Sequence, residues 1–202
     1  MQLASEHTQP PAFRDRLAAD RHNFRTTMTP PLELRPLREE NEASFMAAIE
    51  EFQNESPAWD FALDFDGAMS FPEYVRQHDR WSRGKELPAG YVPASFFVGV
   101  VDGTVVGRVS LRHRLNEYLT KIGGHIGYGV VPSQRRRGYA SAMLRLALDR
   151  CRDLDIAQAL VTCDVSNAGS RIVIERCGGV LENLTDDPVL PAQQRRYWIA
   201  VS

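Results

Sequence analysis

One stretch, Gly124–Ala147 (GHIGYGVVPSQRRRGYASAMLRLA), restricts the fold more than any other. An apolar run ends at Val131-Pro132 and a short polar turn follows. Gly138 then opens a helix in which Ala140, Met143, Leu144, Ala147, Cys151 and Leu154 form one apolar stripe. A strand entering a helix through such a turn leaves the first helical N–H groups unpaired and aimed at one point, where the helix dipole also favours an anion. Gly138 removes a side chain that would block close approach. Ala140 and Ser141 keep the entrance open, and Arg135, Arg136 and Arg137 add positive charge. A pyrophosphate is the natural guest. With neither GxxxxGK[ST] nor GxGxxG present, the loop is not a P-loop or a dinucleotide fingerprint. An arginine run elsewhere would read as a solvated face or a nucleic-acid patch. Its place at a helix start favours phosphate.

The flanking patterns assemble around this unit. Leu32–Leu37 reads as a strand that Pro36 confines to an edge or an end. Glu39–Phe52 is an amphipathic helix through Phe45, Met46, Ile49 and Phe52. Phe71–Trp81 is a second helix, with Ser70 as N-cap, Pro72 in the first turn and Gly84 after its end. Ser95–Val101 and Thr104–Arg112 flank Asp102-Gly103, a hairpin signal for a type I′ turn. In the second of these strands Val105, Val109 and Leu111 share one face, and Arg108, Ser110 and Arg112 the other. Gly124–Val131 is a third central strand, followed by the helix Arg136–Leu154 and a buried strand at Ile156–Cys163. A helix over Asn167–Cys177, capped by Asn167 and stopped by Gly178, precedes strands at Gly179–Leu184 and Arg195–Val201. The order defines one α+β domain over residues 32–202, a mixed, mostly antiparallel central sheet flanked by helices. Residues 1–31, with Pro10-Pro11 and Pro30-Pro31, read as a flexible extension, and Met28 is the expected natural start.

Composition removes several classes of function. The 202 residues suit one domain, and 43% apolar with 25% charged residues supports an ordinary core. A net charge of −2 argues against bulk binding to nucleic acid or an anionic membrane. No apolar run reaches the ~18–20 residues of a membrane helix, and no secretory signal is visible. Three cysteines (Cys151, Cys163, Cys177) without CxxC spacing point away from disulfides and zinc, and toward a reducing cytoplasm.

Arg135-Arg136-Arg137-Gly138-Tyr139-Ala140 fits the pattern [Arg/Gln]-x-x-Gly-x-[Gly/Ala] in its proper strand–helix setting. Downstream, Asn167-Ala168-Gly169-Ser170 and Ile174-Glu175-Arg176-Cys177-Gly178-Gly179 fit a second motif, Asn-x-x-[Ser/Ala] followed by a helix and a glycine end. With both motifs the chain resembles the GNAT superfamily of acyl-CoA-dependent N-acyltransferases. The resemblance implies that the central strand and the strand at Ile156–Cys163 splay apart around acetyl-CoA. Pantetheine would pair near Val130 and Val131, pyrophosphate would sit on Arg136–Ser141, and Asn167 would contact the cofactor. It also implies direct attack by an amine, with no metal and no covalent enzyme intermediate. Such sheets often pair into homodimers.

The chemistry then needs a neutral amine, a donor to the thioester oxygen and a proton for the leaving thiolate. His125, near where some relatives carry a general-base glutamate, is the candidate base; the alternative is a core histidine bonded to backbone. Many relatives place an acidic tyrosine where this chain has Ile174, so protonation falls to Ser170, Tyr128 or water. Tyr139 reads as a structural residue over the helix start. In the family, Asn54–Gly67 borders the acceptor site. Here it holds four acids and no base, and Trp59, Asp60, Asp64 and Asp66 are the candidate acceptor residues, for a small cationic amine. The alternative is a solvated loop with aromatic plugs. A protein N-terminus or lysine is the competing acceptor, and a non-catalytic acyl-CoA sensor the competing class.

Overall fold

A computed structural model describes residues 31–65, 67–185 and 192–201. The elements run β1 (Glu33–Pro36), α1 (Glu42–Gln53), α2 (Phe71–Ser82), β2 (Ala94–Val101), β3 (Thr104–Arg112), α3 (Glu117–Lys121), β4 (Ile126–Val130), α4 (Tyr139–Arg152), β5 (Gln158–Asp164), α5 (Ala168–Arg176), β6 (Val180–Thr185) and β7 (Gln194–Ala200). The expected extension and the Met28 start fall outside the described residues. Local signals account for most boundaries. Asp102 and Gly103 both have positive φ, as a type I′ turn requires. Ser70 accepts the Glu73 N–H and Asn167 the Ser170 N–H, each capping the helix that follows.

The α+β layers are present, but the sheet is divided and every ladder is antiparallel. Strands β1-β2-β3-β4 form one sheet and β5-β7-β6 the other. The two halves meet at the start of β4, where the His125 N–H bonds the Leu160 carbonyl at 2.7 Å and the Leu160 N–H bonds His125 Nδ1 at 2.9 Å. Beyond this joint β4 and β5 share no ladder. The joint is close enough that a Cβ on Gly124, itself at φ +59°, would run into the Leu160 carbonyl.

On one side, α4 and α5 cover both sheets over a core that includes Val109, Leu111, Met143, Leu144, Val161 and Ile174. Met143 lies directly over the paired glycines Gly99 and Gly107, which lets α4 approach and fixes the loop at its start. On the other side, α1 and α2 pack Phe45, Phe52, Phe71 and Tyr74 against Phe96 and Val98.

His78 belongs to this second layer, its ring stacked on Phe96 at 4.4 Å. Burial, aided by Arg108, pushes its pKa down to about 4. Between pH 6.5 and 4 the unfolded chain therefore takes a proton that the folded state refuses, so stability falls as pH falls. The expected loss across that window is about 3 kcal/mol in urea melts. His78→Leu should flatten that part of the stability–pH curve.

Candidate active site

The loop after β4 is built for an anion. Arg136 (φ +65°) and Gly138 (φ +83°) are left-handed, which turns successive N–H groups toward one concavity at the start of α4. Gly138 is the N-cap residue, and a Cβ there would meet nothing within 4 Å, so the space in front of the helix is open. Arg136 and Arg137 are exposed beside it. Tyr139 is buried against Val101 and Val106, in the structural place expected of it. Ala140 and Ser141 are partly buried in the first turn.

Arg135 departs from its expected role. Its guanidinium faces Glu55 in a bidentate pair at 2.6 and 2.7 Å, its Nε donates to the Val130 carbonyl at 3.2 Å, and it stacks on Phe52. Ser133 is held similarly by Glu51, through N–H and hydroxyl. These contacts tie the loop to the end of α1, so Arg135 shapes the cradle rather than charging it.

The edge of β4 is the second component. Val131 donates its N–H to Val106 and accepts from Gln134, so its backbone is not available to a ligand, contrary to the sequence expectation. Antiparallel alternation from that bond leaves the N–H and C=O of Tyr128 and the N–H of Val130 pointing away from β3, into the gap before β5, while the Val130 carbonyl accepts from Arg135.

His125 is also corrected. Its Nδ1 accepts the Leu160 N–H, so the neutral ring carries its proton on Nε2 and has no lone pair left for a base. Burial and Arg112 lower its pKa, which keeps it neutral. It joins the two sheets.

Across the gap, the Tyr128 and Ser170 hydroxyls are 2.9 Å apart, linking β4 to the first turn of α5. Burial raises the Tyr128 pKa, so its proton is held firmly. The Ser170 hydroxyl also faces the Cys163 thiol. Asn167 caps α5 through its Oδ1, beside Ser170. Burial raises the thiols of Cys151 (to about 11), Cys163 and Cys177, which makes each a poor nucleophile.

The opposite face of β3 and β4 carries the aromatic segment. Trp59 lies over Gly129, where a Cβ would strike the indole, and meets the Phe52 ring at a tilt, 5.0 Å between centroids. The acids expected at the acceptor site already have partners within the fold where they are described. Asp60 accepts from the Ala62 and Leu63 N–H groups of its own loop, Asp64 accepts from Tyr91, and Asp66 lies outside the described residues. Beneath Trp59 is a residue that sequence reasoning did not nominate. Arg108 is 2% exposed, with its guanidinium 4.3 Å from the indole. The signal for it was a charge in the middle of a strand whose neighbouring positions Val106, Gly107 and Val109 are apolar.

An α+β domain with a divided sheet, free strand-edge groups in the gap and an anion cradle at a helix start defines a class that holds an extended ligand with a phosphorylated end. The model of the acetyltransferase (GNAT) domain matches residues 31–180, and the chain belongs to that family. Similar solved structures include Mycobacterium smegmatis RimJ in complex with CoA-disulfide, at 21% identity and TM-score 0.64, covering 85% of this chain and 83% of that one. A putative ribosomal-protein-serine acetyltransferase from Vibrio cholerae has 20% identity and TM-score 0.60, covering 84% and 93%. A spermidine N-acetyltransferase SpeG chimera from Vibrio cholerae and hSSAT has 16% identity and TM-score 0.57, covering 84% and 95%. No curated protein sequence matches the chain. No described helix is long and apolar enough to cross a membrane.

Proposed function

We propose that the chain is an N-acetyltransferase that moves an acetyl group from acetyl-CoA to a primary amine by direct attack in a ternary complex. The observation that carries this is the presence of two binding elements after and along one strand, the nest at Arg136–Gly138 and the Tyr128 backbone groups and Val130 N–H in the β4–β5 gap. The nest would hold the pyrophosphate, with Tyr139, Ala140 and Ser141 supplying first-turn N–H groups. The edge of β4 would pair with pantetheine and give the thioester oxygen an N–H donor. Asn167 supports the site by capping α5.

Acetyl-CoA supplies an activated acyl carbon. A C–N bond forms, the C–S bond breaks, the ammonium proton goes to water, and the sulfur leaves as a thiolate that takes a proton. No dedicated base is assigned. The buried Arg108 charge disfavours a neighbouring ammonium and so favours the neutral nucleophile. The hydrogen-bonded Tyr128–Ser170 hydroxyls across the gap support a role for the pair in delivering a proton to sulfur. Because a thiolate is already a tolerable leaving group, Tyr128→Phe should lower kcat by only about tenfold and leave the acetyl-CoA KM nearly unchanged. Adding Ser170→Ala should cost little more, since the two act as one unit. Steady-state CoA release measures both.

A small amine is the favoured acceptor, as for the spermidine enzyme among the similar structures. With Asp60 and Asp64 engaged within the fold, an acidic wall is not what selects it. The deciding experiment measures CoA release with acetyl-CoA against amino acids, polyamines and N-terminal peptides. Intersecting velocity lines with small amines support the proposal. Turnover on peptides alone transfers the reading to protein acetylation. Acetyl-CoA binding with no turnover leaves a sensor.

A further inference from the structure

Arg108 is the least satisfied charge in the described structure. It is 2% exposed, yet its hydrogen bond is to a neutral group, the Asp60 carbonyl at 3.1 Å from Nη2. Its Nε has no acceptor. The Trp59 face at 4.3 Å and the Phe96 ring at 5.9 Å offer π contacts without a counter-charge. Arg112, on the same face of β3, is a like charge and donates to the Gly123 carbonyl. The Asp60 carboxylate is near enough to attract Arg108, but its Oδ1 is held by the Ala62 and Leu63 N–H groups and it makes no hydrogen bond to the guanidinium. Guanidinium groups in protein interiors are ordinarily paired with a carboxylate or phosphate, because an uncompensated buried charge is strongly destabilising. A second orphan lies in the same layer. His78, stacked on the other contact of Phe96, has a buried Nε2 with no partner.

The position of this charge matters as much as its isolation. Arg108 pairs with Gly129 on β4, between the two residues whose backbone groups face the gap. The Trp59 indole covers it on one side, beside the Asp60 main chain. Trp59 is 39% exposed on a segment outside helix and strand, and access to the guanidinium would require its indole to rotate off Gly129. One strand spacing, about 4.8 Å, then separates Arg108 from the edge that faces the donor.

We infer that the acceptor amine carries a carboxylate a few carbons away, and that Arg108 binds it beneath Trp59. This deepens the acetyl-transfer reading and rests on it. The acceptor class is a small amino acid whose amine and carboxylate are separated by a short chain. The planar guanidinium edge suits a carboxylate, and one guanidinium, with Arg112 engaged on the Gly123 carbonyl, suits a monoanion better than a phosphate dianion.

The test titrates the CoA-loaded protein with matched pairs, β-alanine against β-alaninamide and 4-aminobutyrate against 4-aminobutanamide. Binding is followed by calorimetry, and CoA release is measured separately with acetyl-CoA. The expected result is at least tenfold tighter binding of the carboxylate member. In Arg108→Gln the ratio falls to about one, while stabilisation by acetyl-CoA persists. The wild-type ratio decides the matter even if that variant fails to fold. Trp59→Leu, which removes the roof and keeps the guanidinium, should retain the preference. Equal binding of both members, preference for the amide, or no carboxylate binding at millimolar concentration overturns the inference. Discrimination in binding without CoA release keeps the carboxylate site and removes the acetyl-transfer reading. Release from amides or diamines without discrimination does the reverse.

Discussion

Gly138→Glu should eliminate acetyl-CoA binding while leaving the chain folded. At φ +83° the position is left-handed, so a side chain there costs about 1–2 kcal/mol in backbone strain. The space around it is empty, so strain is the whole structural penalty. The functional penalty is far larger. A carboxylate would stand in the concavity formed by the N–H groups of Arg136–Gly138 and the start of α4, compete for those donors and repel a pyrophosphate. Acetyl-CoA at about 100 times its Kd should add about 2.7 kcal/mol to wild-type stability. That increment should vanish in Gly138→Glu, and CoA release should fall by a factor on the order of 10³, equivalent to about 4 kcal/mol. Gly138→Ala is the control. It carries the strain without the charge, so it should lose stability and keep most of its cofactor response. An undiminished acetyl-CoA shift in Gly138→Glu would show that the nest is not the cofactor site.

The parts of this site that were legible in the sequence are those decided within a few residues. The cradle follows from a strand end, a polar turn and a glycine in succession. The caps at Ser70 and Asn167 act on N–H groups three residues ahead, and Asp102-Gly103 sets its own turn. What the sequence did not disclose depends on partners distant along the chain. Arg135 looked like a phosphate ligand beside Gly138, but Glu55, 80 residues earlier, holds it. His125 looked like a base on a central strand, but Leu160, 35 residues later, takes its lone pair. The acids of the aromatic segment looked like a cation site because their own loop amides and Tyr91 could not be foreseen as partners. Helix α3 escaped notice because five residues are too short for any periodicity to register. Arg108 shows the limit from the other direction. Alternation put it on the polar face of its strand, and α1 and α2 bury that face as well.

The joint between the sheets gives the second large effect. Gly124→Val should cost about 4 kcal/mol or more, or prevent folding, because two penalties coincide. A β-branched residue at φ +59° is strained, and its Cβ would run into the Leu160 carbonyl that accepts the His125 N–H. Relief requires β5 to move off β4 at the backbone joint between the halves, where the Gly123 N–H also bonds the Thr162 hydroxyl. Equilibrium urea unfolding measures the loss. His125→Leu separates a joint from a catalytic base at the same locus. It leaves the buried Leu160 N–H without its acceptor, for about 1–3 kcal/mol of lost stability. A joint predicts that this stability loss accompanies an unshifted pH profile of kcat/KM in the enzyme that remains folded. A base predicts the opposite pattern, with stability near wild type and the acid limb of the profile removed. The gap can hold an extended cofactor only if the strands are fixed at one end and free at the other. A residue that closes that end therefore controls activity through the width of the opening, without taking a proton.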